Sequence, residues 1–187
     1  MAVSEDQKRD EEWLLGALAE LIEAAGAETF LAAPLIEPTP AHFPDPFDND
    51  VPGAERIAHR LLRYAGLRLQ PLMNLDETQG AHGNTAAWFA GINLGRAVMG
   101  ISDQILPAGD RVVATLAHEV AHVWRAVGKH ADRDGDAESR LEEERLTDVT
   151  TVFLGFGILT TNGAYRFRAS ALGVGSVKGT RYQHDSL

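Results

Sequence analysis

Apolar residues recur along this chain at two different periods, and the switches between them mark out its elements. After Asp10, Glu11 and Glu12, the residues Trp13, Leu14, Ala17, Leu18, Leu21, Ile22 and Ala25 stand three and four apart until Gly26. That spacing predicts an amphipathic helix, with Trp13 as a core residue. A second helical pattern, Ile57, Ala58, Leu61, Leu62 and Ala65, opens at Val51-Pro52-Gly53, passes through Tyr64 and stops at Gly66. Leu67 to Leu72 instead alternates apolar residues with Arg68 and Gln70, as a half-buried strand does. Asn74 to Asn84 is rich in turn formers and carries His82 between Gly80 and Gly83. Thr85 to Ile92 and Arg96 to Ile101 then predict two strands joined by a tight turn at Asn93-Leu94-Gly95. Helical spacing returns from Arg111 to Val127, with Asp110 as the expected cap and Gly128 as the stop. A last helix runs past Asp148 through Val149, Val152, Phe153 and Leu154 to Gly155. From Thr160 to Leu187 the pattern weakens into Gly, Ser and Arg, which predicts an irregular tail or a short strand. The expected fold class is α+β, with helices packed on a small, mostly antiparallel sheet.

The prolines cluster between Pro34 and Pro52, where a helix or a central strand is excluded because proline fixes φ and lacks an N–H. Phe43 and Phe47 in that stretch predict a strap held against the domain surface, leaving His42 and Asp45 as structural residues and not metal blockers. A chain of 187 residues accommodates one domain with a sizeable core. Its expected segments are an N-terminal helix within 1–33, the strap over 34–53, a core over 54–160 and a Gly-rich tail over 161–187. A formal charge of −10 argues against nucleic-acid and anionic-membrane partners, which require a basic surface. With no cysteine, disulfides and thiolate metal sites are excluded. The first ten residues hold no apolar signal core, so a soluble cytoplasmic protein is expected.

The candidate chemistry lies in the helix from Arg111 to Val127, which contains Ala117-His118-Glu119-Val120-Ala121-His122. Two histidines four residues apart share a helix face one turn apart, so their ring nitrogens can converge on one cation. Glu119 stands about 100° round the helix from His118, within reach of a water on that cation without being a ligand itself. A catalytic zinc takes three protein ligands, so a third must come from elsewhere. The candidate is Glu144, which with Asp148 forms a second helical pair presenting two carboxylates on one face. Glu144 can bind the metal, while Asp148 can accept the free N–H of a ligand imidazole, His118 being favoured. Glu143 would turn away from that face.

With its H-E-x-x-H motif and a Glu-x-x-x-Asp helix following after roughly twenty residues, the chain resembles the gluzincins, zinc metallopeptidases whose third ligand is a glutamate from a second helix. The resemblance covers about residues 85–160. It implies a small zincin-like metallopeptidase domain with Zn2+ as cofactor and a peptide or protein as substrate. It also implies that His118, His122 and Glu144 are metal ligands, Glu119 the general base and Asp148 the support of a ligand histidine. In such folds the sheet edge beside the zinc helix pairs with an extended peptide, which implies the same role for a strand within 85–101. A non-catalytic peptide-binding or regulatory module that keeps the zincin-like scaffold is the alternative reading. Asp132, Asp134, Asp136 and Glu143 also fall at calcium-loop offsets, but Ala137 and Ser139 stand where Gly and an apolar residue are needed, so calcium is not expected. His130 is a spare metal-ligand candidate. Tyr165, Arg166, Tyr182 and His184 are the available oxyanion donors, and nothing in the sequence ranks them.

Overall fold

The structure, a computed structural model, describes residues 4–76, 86–128, 130 and 137–163. His82, the calcium-loop aspartates and the four tail donors lie outside the described residues. The elements are α1 (Glu5–Ala25), α2 (Ala27–Ala32), α3 (Val51–Tyr64), β1 (Gln70–Asp76), β2 (Ala87–Asn93), β3 (Arg96–Ser102), α4 (Gly109–Val127) and α5 (Ala137–Phe153). This is a small α+β fold. No helix among the described residues is long and apolar enough to cross a membrane.

Helix α1 begins a turn and a half before the acidic residues at Asp10. The Ser4 hydroxyl accepts from the Gln7 amide while the Gln7 side chain accepts from the Ser4 amide. This reciprocal box satisfies two donors that a helix start otherwise leaves unpaired, and it outweighs the acidic residues as a start signal. At α4 the expected cap is also displaced: Asp110 lies in the first turn and the N-cap is Ala108, which makes no side-chain cap bond. The nearby negative charge of Asp110 still favours the positive end of the helix.

The sheet order is β1-β3-β2, with β3 parallel to β1 and antiparallel to β2. One of its two ladders is thus parallel, where a mostly antiparallel sheet was expected. β1 also sits several residues later than the alternation of Leu67 to Leu72 suggested. Pairing from Gln70↔Arg96 through Asp76↔Ser102 carries the strand into the turn-rich stretch, because ladder hydrogen bonds outweigh the weak strand preference of Asn74 and Asp76. β2 and β3 occupy their expected places and are joined through Leu94, which takes a left-handed φ of 47°.

Helices α3 and α4 pack on the sheet through β1 and β2, α5 packs on α4, and α1 packs on α5. Helix α4 is therefore central. Val112, Val113, Leu116, Ala117, Val120, Ala121 and Val123 are all buried. Arg111, Thr115, His118 and His122, spaced by four, three and four residues, form a half-exposed stripe on the same helix. Trp13 is half-buried against the core, its indole N–H donating to Glu142 at 3.0 Å and its ring lying 3.8 Å from the Arg145 guanidinium.

The strap holds to the surface as its aromatics predict. Phe47 lies against Gly53 and Gly109, at the starts of α3 and α4, where a Cβ on Gly53 would come within 2.6 Å of the ring. Tyr64 donates to the His42 carbonyl at 2.8 Å, and Arg60 donates to Asp45 at 2.8 Å. His42 turns to Thr39 and the Glu37 amide, so neither it nor Asp45 reaches the histidine pair. The far end is fixed where the Ile36 amide donates to the Gly155 carbonyl at 2.9 Å. Gly155 has φ +81°, and a Cβ there would stand 2.0 Å from the Pro34 carbonyl oxygen, so only glycine fits this crossing. Residues 157–163 are helical, so the start of the expected irregular tail is ordered in a form its weak periodicity did not predict.

Candidate metal centre

Helices α4 and α5 run antiparallel, and polar contacts join them at three levels. His118 Nδ1 meets Asp148 Oδ1 at 3.0 Å, His122 Nδ1 meets Thr147 Oγ1 at 3.2 Å, and Arg125 meets Glu143 through two bonds of 2.9 and 2.7 Å. The partners step up α4 (His118, His122, Arg125) as they step down α5 (Asp148, Thr147, Glu143), which is the order an antiparallel pair gives. Glu144 reaches across between the first two levels. Its carboxylate oxygens lie 3.1 Å from His118 Nε2 and 3.5 Å from His122 Nε2. The imidazoles stand with ring centroids 4.8 Å apart and planes at 79°.

A donor from each of His118, His122 and Glu144 falls within 4.8 Å of the other two. Donors bound tetrahedrally at 2.0–2.1 Å from zinc stand about 3.3 Å apart, so the residues fit a zinc ion after small side-chain adjustments. The outer ring nitrogens support that fit. Both Nδ1 atoms are engaged by α5, leaving both Nε2 atoms turned to the shared space. Glu143 instead turns to Arg125, and His130 stacks on Trp124 at 5.6 Å. The apolar run from Val149 to Leu154, at the end of α5 and just after it, is only partly buried. Val149, Phe153 and Leu154 are buried, but the Val152 side chain is exposed and the Glu144 and Asp148 side chains are 58% and 70% exposed. They form a solvent-facing rim and do not lie beneath α4.

Glu119 lies beside the histidine pair and is only 7% exposed. Burial pushes its carboxyl up to about 7, against the pull of His118 and His122 and a backbone hydrogen bond from Phe89. That bond links α4 to β2 where the β2–β3 register slips, between Phe89 and Gly91. Burial works against charge on His118, but hydrogen bonds to Asp148 and Glu144 outweigh it and push the ring up to about 10. The same contacts with His118 and His122 hold Glu144 well below the usual carboxylate range. Beside the pair, a cavity of about 160 Å³ is lined by Arg111, Thr115, His118, Asp148 and Thr160.

These shifts set the sign of a pH effect. With chelator present, His118 stabilises the fold fully below about pH 6.5 and loses that contribution as pH rises through about 10. Glu119, raised from 4.5 to about 7, adds a loss between those values because the unfolded chain ionises there while the buried carboxyl keeps its proton. Glu144, held low, contributes above about pH 4.5 and loses that only on acidification. A metal held by His118, His122 and Glu144 would displace protons from them, so its stabilisation would grow as pH rises. The gain in Tm on adding zinc to chelated protein is therefore expected to be larger at pH 8.5 than at pH 6. An equal or smaller gain at pH 8.5 would contradict this linkage.

Sequence reasoning missed Thr147, although at three residues past Glu144 it falls near the same helix face. The proximity of Phe89 to Glu119 left no signal at all. No protein-family model, curated protein or solved structure matches this chain.

Proposed function

We propose that this protein is a zinc-dependent peptidase of the gluzincin type, with His118, His122 and Glu144 as ligands and Glu119 as general base. The observation that carries this reading is the convergence of two Nε2 atoms on one carboxylate, with a buried carboxyl beside them. A purely structural metal site has no use for that buried acid, which favours an enzyme over a binding module.

Zinc bound there would supply a Lewis acid that makes water nucleophilic near neutral pH and polarises the carbonyl under attack. Glu119 would accept the proton released as water adds to the carbonyl carbon, and would then deliver it to the leaving amine. Asp148 would hold the His118 ring in place through Nδ1. Among the described residues β2 pairs only with β3, so β2 is the sheet edge beside α4, while the central β3 has no free edge. An extended peptide would add to β2 through backbone hydrogen bonds, which select extended chains over particular sequences. The cavity beside His118 would receive one substrate side chain, with Arg111, Thr115 and Thr160 at its walls.

The test is elemental analysis of the purified protein together with cleavage of an unfolded protein substrate. About one zinc per chain is expected, with cleavage lost on chelation and restored by zinc. Zinc bound without cleavage of any unfolded substrate would favour the non-catalytic module. Failure to bind zinc would end the peptidase reading.

A further inference from the structure

The two histidines are held differently: a carboxylate faces the Nδ1 of His118, and a buried hydroxyl faces the Nδ1 of His122. Thr147 is fully buried, and its Oγ1 touches two groups, the Glu143 carbonyl oxygen at 2.8 Å and His122 Nδ1 at 3.2 Å. A hydroxyl has one proton to give and two lone pairs to receive with. A carbonyl oxygen can only accept, so the shorter contact uses the hydroxyl proton. Towards His122 the oxygen is left as an acceptor. The proton between them must then sit on Nδ1, which leaves the Nε2 lone pair directed at the space shared with His118 and Glu144.

We infer that Thr147 is a positioning residue for the metal site, fixing the orientation and tautomer of His122 by accepting from its Nδ1–H while donating to the Glu143 carbonyl. The inference rests on the metal-site reading above and extends it to a residue that touches neither substrate nor ion. Thr147 lies on the helix that supplies Glu144, so one turn of α5 both donates a ligand and orients a ligand of α4. Glu143 contributes as well: its side chain is clamped by Arg125, and its carbonyl is the group that commits the threonine proton. Glu144 is 3.5 Å from His122 Nε2, a longer contact than either bond of the hydroxyl. It does not compete for the role of holding the ring.

Thr147→Val keeps the shape and removes the hydroxyl, whereas Thr147→Ser keeps the hydroxyl. Zinc affinity, read by competition with a chromophoric chelator, is expected to fall about 10–100-fold in the valine variant and to stay within about threefold of wild type in the serine variant. Thermal stability of the chelated proteins, measured alongside, separates loss of orientation from loss of fold. Should the valine variant not fold, nitrogen NMR of the zinc-loaded wild type decides: His122 is expected to bind through Nε2 and to carry a slowly exchanging Nδ1 proton. Wild-type affinity in a folded Thr147→Val protein, or zinc on His122 Nδ1, overturns the inference and leaves the metal site standing. A wild type that binds no zinc removes the site and the inference together.

Discussion

Glu119→Gln is expected to lower the rate of peptide hydrolysis by about 10²–10⁴-fold, with zinc content and fold unchanged. Gln is nearly the same size as Glu, and its amide oxygen can still accept the backbone hydrogen bond from Phe89, so the buried position stays satisfied. The change removes only the ability to take up and return a proton. Burial holds the Glu119 carboxyl up to about 7 even against the pull of His118, His122 and the Phe89 hydrogen bond. A bound dication adds further positive charge, which favours the carboxylate that a base must be. Comparing kcat/KM for wild type and Glu119→Gln on one unfolded substrate, with zinc measured in both, tests this directly. Turnover within about tenfold of wild type at full zinc occupancy would remove Glu119 from the chemistry.

The second large effect is on stability and arises behind the site. Arg125 is 3% exposed, and its guanidinium binds both Glu143 oxygens and the His130 carbonyl. Arg125→Met leaves a largely buried carboxylate without its counter-charge and a carbonyl without its donor. Removing one member of a buried pair costs about 3–5 kcal/mol, whereas replacing both by apolar groups is often close to neutral. For a chain of this size that corresponds to a fall in Tm of roughly 6–20 °C. Thermal unfolding should show that fall in Arg125→Met and recovery of most of it in the double variant with Glu143→Leu. A single variant within about 1 kcal/mol of wild type would mean that the pair contributes little to joining α4 and α5.

Zinc affinity in the double variant bears on how the site is held. Arg125–Glu143 is the third level of contact between the two helices, adjacent to the level of His122 and Thr147. The candidate ligands come from two helices, so a change in spacing between α4 and α5 moves Glu144 relative to both imidazoles. The buried ion pair thereby links fold stability to the geometry of the candidate centre, although neither residue touches it.

Much of the candidate centre could be read along the chain because helical period alone puts residues four apart on one face. That rule aligned His118 with His122 and Glu144 with Asp148, and it set Glu143 aside. It does not show which residue of a second helix faces which residue of the first. Thr147 at His122 and Glu143 at Arg125 depend on the register between α4 and α5, and register belongs to packing. The strap was legible for a comparable local reason, since proline excludes regular structure and Phe43 and Phe47 need burial.

The misplacements have physical causes that fall on both sides of that line. The start of α1 at Ser4 is written locally, as a Ser-x-x-Gln box less conspicuous than the acidic run at Asp10. The late position of β1 is not, because Asn74 to Asp76 become strand only by pairing with β3. The parallel β1–β3 ladder and the placement of β2 against α4 depend on contacts between distant segments, which periodicity does not encode. The sequence by itself therefore determined the long helices α1, α3, α4 and α5, the hairpin and the residue types that can bind a metal, all consequences of interactions within a few residues. Only the tertiary structure decided that the two helices meet antiparallel, with the imidazoles turned towards Glu144 and Glu119 buried against β2. Those facts depend on how apolar faces of separate elements pack together, and one linear pattern can serve more than one such packing.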